Sequence, residues 1–149
     1  MQQSDFPAVY ELVKSTEVLD VHTPYTYWVL LNQASNLSFV ARRPDCLAGF
    51  ITGMGPFRAC GEAFVWQIGV HPELLRQGIG RELLGHFVDA AHSRGFNSIC
   101  TTISENNQAS LGLFAQMARA LGQPLERETS TGTMGALMLE EILYRIRLA

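Results

Sequence analysis

The chain has 149 residues, 47% of them apolar and 17% charged, with a formal net charge of −3. That is enough for one domain with a sizeable core and too little for two comfortable ones. Its only lysine is Lys14 and it has no basic run, so nothing in its charge points to nucleic acid, and no apolar run is long enough to span a bilayer.

Cys46, Cys60 and Cys100 are odd in number and scattered, without a CxxC pair. This predicts reduced thiols rather than a disulfide or zinc framework. The opening residues MQQSDFPAVYE carry neither a basic segment nor an apolar one, so no signal peptide is expected and the predicted location is the cytoplasm. No repeat, low-complexity segment or linker divides the chain, which predicts one domain over residues 1–149.

In chain order, Ser4 or Asp5 can cap a first helix, with Pro7 in its first turn and Val9, Leu12 and Val13 on one face. A second helix is expected from about Pro24 to Gln33. Leu37–Arg42 and Leu47–Gly53 alternate as a strand pair around the turn Arg43-Pro44-Asp45-Cys46, and Met54–Gly61 reads as a loop. A third strand covers Ala63–Val70. The helix from Gly80 to about Ser93 carries Leu83, Leu84, Phe87, Val88, Ala90 and Ala91 on one face and stops at Gly95. Ser98–Ile103 is a buried strand. Asn107–Leu121 is an amphipathic helix with Leu111, Phe114, Met117, Ala118 and Leu121 inward, and a last strand runs from about Ile142 to Leu148. Strands alternating with helices in this order predict an α/β domain with a mixed sheet.

The stretch from Phe64 to Leu84, FVWQIGVHPELLRQGIGRELL, carries the most chemistry. It reads as a strand, a turn containing Arg76-Gln77-Gly78-Ile79-Gly80, and a helix that starts on those glycines. Amides at a helix start are unpaired and partly positive, and glycines let a phosphate approach them. Arg76 and Arg81 flank the cradle. A Rossmann fingerprint would need a third glycine near Leu83, and a Walker loop would need Gly-Lys-Ser/Thr; both are absent.

A VxP step, then QGIG and an LL-containing helix, then a strand and an Asn-led helix with Phe114 resembles the GNAT superfamily of acetyl-CoA-dependent N-acetyltransferases over residues 63–121. The resemblance implies a mixed, mostly antiparallel, V-splayed sheet with helices on both faces and acetyl-CoA wedged in the splay. It implies that Gln77, Gly78, Ile79, Gly80 and Arg81 hold the pyrophosphate, with Arg76 supplying charge. The edge at Ile68, Gly69 and Val70 would pair with the pantetheine arm, Gly69 fitting a bulge that opens it. Asn107 would reach the pantetheine, and Phe114 would lie near the thioester sulfur. Two positions depart from the pattern: Leu75 stands where Gln or Arg is usual, and Phe114 where many members have a tyrosine that protonates the thiolate.

Leu19–Leu31, Ala63–Val70, Asn106–Gly122 and Glu140–Ile146 resemble, more narrowly, the diaminobutyrate acetyltransferase family of ectoine synthesis. Carried over, Asp20, His22, Tyr25, Tyr27, Trp66, Gln67 and Glu141 would surround a small diamino acid such as 2,4-diaminobutyrate. Asp20 or Glu141 would take the proton of the attacking amine, and a strand amide near Ile68–Val70 would steady the carbonyl oxygen. Departures appear here too: His22 replaces the family's Asn, and Met138 and Leu139 stand where polar residues usually precede the last strand. The family's first strand has no counterpart, which means either a sheet lacking it or a sequence that begins late. An exposed edge would then call for a cover such as a second subunit.

Plainer roles stand beside these. Trp66 could be core, Tyr25 and Tyr27 packing residues with wet tips, Asp20 a turn cap, His22 a loop histidine, and Glu141 merely exposed. His71, His86 and His92 lack ligand spacing, and no metal is expected. A non-catalytic acyl-CoA-binding module and a protein N-acetyltransferase are the competing functions.

Overall fold

The computed structural model describes residues 1–16, 18–57, 61–128 and 141–148. Two helices come first, α1 (Phe6–Ser15) and α2 (Pro24–Ala34), then the strands β1 (Phe39–Arg42), β2 (Leu47–Phe57) and β3 (Glu62–Val70). There follow α3 (Ile79–Ser93), β4 (Ser98–Ser104), α4 (Gln108–Ala120), β5 (Glu126–Glu128) and β6 (Glu141–Arg147). The strands form one sheet in the order β1-β2-β3-β4-β6-β5. Only β3 and β4 run parallel, as the α3 crossover between them requires; the other neighbours are antiparallel.

Helices cover both faces. The stripe Val9, Leu12 and Val13 of α1 packs with Tyr27 of α2 on Leu47 and Phe50. On the other face Leu83, Leu84, Phe87, Val88 and Ala91 of α3 join Phe114, Met117 and Ala118 of α4 over Ile51, Val65, Ile99, Ile103 and Ile146. Gly53 makes this possible, because a Cβ there would sit 2.3 Å from the Phe87 ring. No helix among the described residues is long and apolar enough to cross a membrane.

The structure corrects three local expectations and adds one strand. Met54–Phe57 belongs to β2 rather than to a loop, since Met54 pairs with Phe64 and Phe57 with Glu62, and the Phe57 ring stacks on Phe64 at 4.6 Å. Asp5 does not cap α1; its carboxylate accepts from the Gln2 amide at 2.6 Å and pairs with Arg42, tying the first turn to β1. Burial pushes that carboxyl up, but the Gln2 amide and Arg42 outweigh it and hold the carboxyl below its ordinary value. Leu121 ends α4 facing outward. Finally, β5 pairs with β6 through a charged triplet that shows no apolar alternation.

What positions the site is the gap in the middle of the sheet. β3 pairs with β4 only at Glu62–Ser98, Ala63–Ile99 and Phe64–Cys100. Beyond these, β3 stays with β2 as far as Val70, while β4 stays with β6 as far as the Ser104–Glu141 pair. The sheet therefore opens as a V. Its closed end is pinned by buried Glu62, which meets Arg145 of β6 and accepts from the Ser98 hydroxyl of β4 at 3.4 Å. The Arg145 guanidinium lies 3.5 Å from Glu128 as well, so one cation links three carboxylate-bearing or polar strands. Among the described residues no strand precedes β1, which forms one edge of the sheet.

Candidate active site

Beyond Phe64 the main chain of β3 is the first site component. The His71 amide donates to the Ala48 carbonyl at 2.9 Å, and Gly69 stands opposite Phe50 in the same register. Antiparallel alternation then turns the amide and carbonyl of Gly69 toward β2, and those of Ile68 and Val70 into the splay. Of the three residues expected on this edge, two present their polar groups to it. Gly69 is needed for room instead: a Cβ would lie 2.6 Å from the Phe50 ring and 2.9 Å from Leu19.

The expected bulge at Gly69 falls at Trp66. Thr52 pairs with Gln67 and Gly53 with Val65, which leaves Trp66 as the extra residue. The cause lies in the core. Val65 and Ile68 both pack with the α3–α4 cluster although they are three apart, an odd spacing that a regular strand cannot place on one face. The added residue lets Trp66 and Gln67 both look toward the α1–α2 side.

Past β3, Arg76 (φ 62°) and Gly78 (φ 85°) adopt left-handed backbone, and Gly78 is the N-cap of α3. The first intrahelical bond runs from the Glu82 amide to the Gly78 carbonyl at 3.0 Å, and no side chain caps the helix. The amides of Ile79, Gly80 and Arg81 thus form the donor end of α3, where an anion is stabilised. A Cβ on Gly78 would meet nothing within 4 Å, and one on Gly80 would touch Val70 and Leu113 only at 3.6 and 3.7 Å. The space above the helix start is open. Arg43, from the β1–β2 turn, donates to the Gln77 side-chain oxygen at 2.6 Å and braces this loop. Sequence reasoning missed Arg43, because no local pattern links residues so far apart in the chain.

Two further expected residues belong to α4 and its cap. Asn107 is the N-cap of that helix, its Oδ1 accepting from the Ser110 amide at 3.0 Å. Phe114 is 2% exposed and sits within the α3–α4 core. An open strand edge beside an uncapped, arginine-flanked helix start suits a ligand with a peptide-like arm and a pyrophosphate, so these residues fit coenzyme A.

On the α1–α2 side, Asp20, His22, Tyr27, Trp66 and Gln67 come together. Tyr27, 1% exposed, donates its hydroxyl to Gln67 Oε1 at 3.0 Å, and Gln67 Nε2 donates to the Asp20 carbonyl at 2.9 Å. Burial pushes the Tyr27 phenol above its usual value, although the His22 backbone amide and Gln67 act the other way. The His22 ring meets Trp66 edge-on at 5.4 Å and lies 6.2 Å from Tyr27. Trp66 keeps 36% of its surface exposed, so it is a wall with an open face rather than core. The expectation that Tyr27 has a wet tip is corrected, because its hydroxyl is used inside the protein. Tyr25 lies outside the group, 70% exposed and stacked on Trp28 at 5.8 Å. Glu141 opens β6 on the opposite arm of the V. Met138 and Leu139 lie outside the described residues.

The chain matches the Acetyltransferase (GNAT) family over residues 6–118. It is 33% identical over 141 residues to the L-2,4-diaminobutyric acid acetyltransferase of Halomonas elongata, covering 93% of this chain and 73% of that protein. The same-named enzyme of Bordetella parapertussis is 31% identical over 152 residues, covering 97% of this chain and 80% of the relative. Among solved structures it resembles the diaminobutyrate acetyltransferase of Paenibacillus lautus in complex with L-2,4-diaminobutyric acid and coenzyme A. The TM-score there is 0.83 at 29% identity, over 98% of this chain and 90% of that one. The chain belongs to the GNAT family and is an acetyl-CoA-dependent N-acetyltransferase.

Proposed function

We propose that the chain acetylates a primary amine of L-2,4-diaminobutyrate or a closely similar diamino acid. One observation carries this reading: β3 bears Trp66 and Gln67 beside the Asp20–His22 loop, then opens its edge at Ile68 and Val70, then leads into the uncapped start of α3. A donor and an acceptor laid along this strand meet at the mouth of the splay. The relatives named for diaminobutyrate support the acceptor class.

In this reading the amides of Gln77–Arg81 hold the pyrophosphate, with Arg76 and Arg81 adding charge. Ile68 and Val70 pair with the pantetheine arm as an added strand would, with the Asn107 amide nitrogen beside it and Phe114 as the wall. Acetyl-CoA supplies an acetyl group as a thioester. An aliphatic amine, with a pKa of about 10, is mostly ammonium at neutral pH and must lose a proton before it can attack. Asp20 from the loop and Glu141 from the β6 arm attract the ammonium and take that proton, directly or through water. Trp66 presents a ring face to the cation, and His22 narrows the cleft where the family has Asn. An inward amide of Ile68 or Val70 stabilises the carbonyl oxygen as charge grows on it, a donor typically contributing about 3 kcal/mol. Phe114 has no proton to give, so the thiolate departs without help from that side chain. The β1 edge is where a second copy would sit in a homodimer.

Thiol release measured over 2,4-diaminobutyrate, longer diamino acids, monoamines and peptides tests this. The highest kcat/KM is expected for 2,4-diaminobutyrate. Turnover of peptides alone would replace the small-molecule reading with protein acetylation. Silence across the panel with coenzyme A still bound would mean a non-catalytic binding module.

A further inference from the structure

We infer that Gln67 and Tyr27 are positioning residues: together they form a two-point clamp that fixes the Asp20–Val21–His22 loop over the Trp66 bulge, and neither touches the acceptor. This deepens the proposed reaction and, for its kinetic consequences, rests on it. Both ends of one side-chain amide are engaged. Gln67 is 7% exposed, its Oε1 accepts from the Tyr27 hydroxyl, and its Nε2 donates to the Asp20 carbonyl. The flipped amide would set oxygen against the Asp20 carbonyl oxygen, so the loop itself fixes the orientation. With both ends used inside the protein, Gln67 has little left to offer a substrate.

Tyr27 completes the second point. Its hydroxyl gives its only proton to Gln67, and its ring lies 6.2 Å from the His22 ring. Gln67 therefore holds the Asp20 carbonyl while the Tyr27 and Trp66 rings flank the His22 ring, and Val21 between the two held residues is exposed. The bulge is what makes this arrangement possible, because an unbulged β3 would turn Gln67 toward the α3–α4 core. The placement of the Asp20 carboxylate and of the His22 ring against Trp66 follows from these bonds. Because the clamp is buried, removing one partner leaves polar groups without water to replace it.

The test uses Tyr27→Phe, which keeps the ring that packs near Phe6 and Tyr10, and Gln67→Met, of similar volume. Amide exchange across residues 18–23 is measured in the substrate-free enzyme, and steady-state kinetics with 2,4-diaminobutyrate and acetyl-CoA. In both variants loop exchange should quicken by about ten-fold and acceptor KM should rise by about ten-fold, with the acetyl-CoA KM unchanged. A raised acceptor KM with unchanged loop exchange would overturn the clamp and make Gln67 a direct ligand. Equal loss of donor and acceptor affinity would also overturn it, as the mark of general damage. If the wild type acetylates no diamino acid, the functional reading fails, while the exchange measurement still decides the clamp.

Discussion

Along β3 the site changes what it is made of. From Ile68 to Arg81 the groups facing the splay are main-chain: the Ile68 and Val70 edge and the first amides of α3. Around Trp66 and Gln67 they are side chains, and the loop they hold arrives from between two helices. A main-chain site needs only shape, so it tolerates Leu75 where the family has Gln or Arg. A side-chain site changes with each substitution, and His22 beside Trp66 is one such side chain. In the proposed reading the donor is set by the fold and the acceptor by a few side chains around the Asp20–His22 loop. Such a division lets acceptor specificity drift while the coenzyme site stays intact.

Four substitutions would break or sharpen that division. The largest effect is expected from Gly80→Trp, which fills the space above the α3 start. It should weaken coenzyme A binding by at least about 100-fold in calorimetry, since charge-assisted bonds of roughly 1.5–3 kcal/mol each are lost. Retained affinity would mean that the pyrophosphate sits elsewhere. Next, Asp20→Asn and Glu141→Gln should each lower kcat, by about 100-fold for whichever is the general base, and leave coenzyme A affinity unaltered. If kcat survives in both, neither carboxylate moves the proton. Smallest and most discriminating is Gly69→Ala. Its methyl would press on Phe50 and Leu19, an overpacking that costs about 1–3 kcal/mol of stability in thermal or denaturant unfolding. Since Leu19 adjoins Asp20, the acceptor KM should move more than the acetyl-CoA KM. The opposite ratio would return Gly69 to the coenzyme edge.

Legibility in the sequence follows the same division. The cradle could be read because glycine is favoured at Gly78, whose left-handed φ is observed, and because α3 and α4 keep a clear helical period. Helical spacing also separates Tyr27 and Leu30, which are buried, from Tyr25 and Trp28, which share the opposite, exposed face. The bulge left a faint trace, two core residues three apart around Trp66-Gln67, but Gly69 offered a stronger and misleading one. Arg43 with Gln77, Asp5 with Arg42, and Gln67 with Asp20 are tertiary pairs, and no local pattern reports them. β5 was unreadable for another reason: Glu-Arg-Glu has no apolar face and is held by its ladder and by the arginines of β6.

The most direct measurement is residue-resolved amide exchange of the wild-type protein with and without coenzyme A. Protection is predicted at Ile68, Val70 and Ile79–Arg81, with little change at Gly69, whose amide already faces Phe50. Protection at Gly69 in place of its two neighbours, or none at the start of α3, would contradict the account.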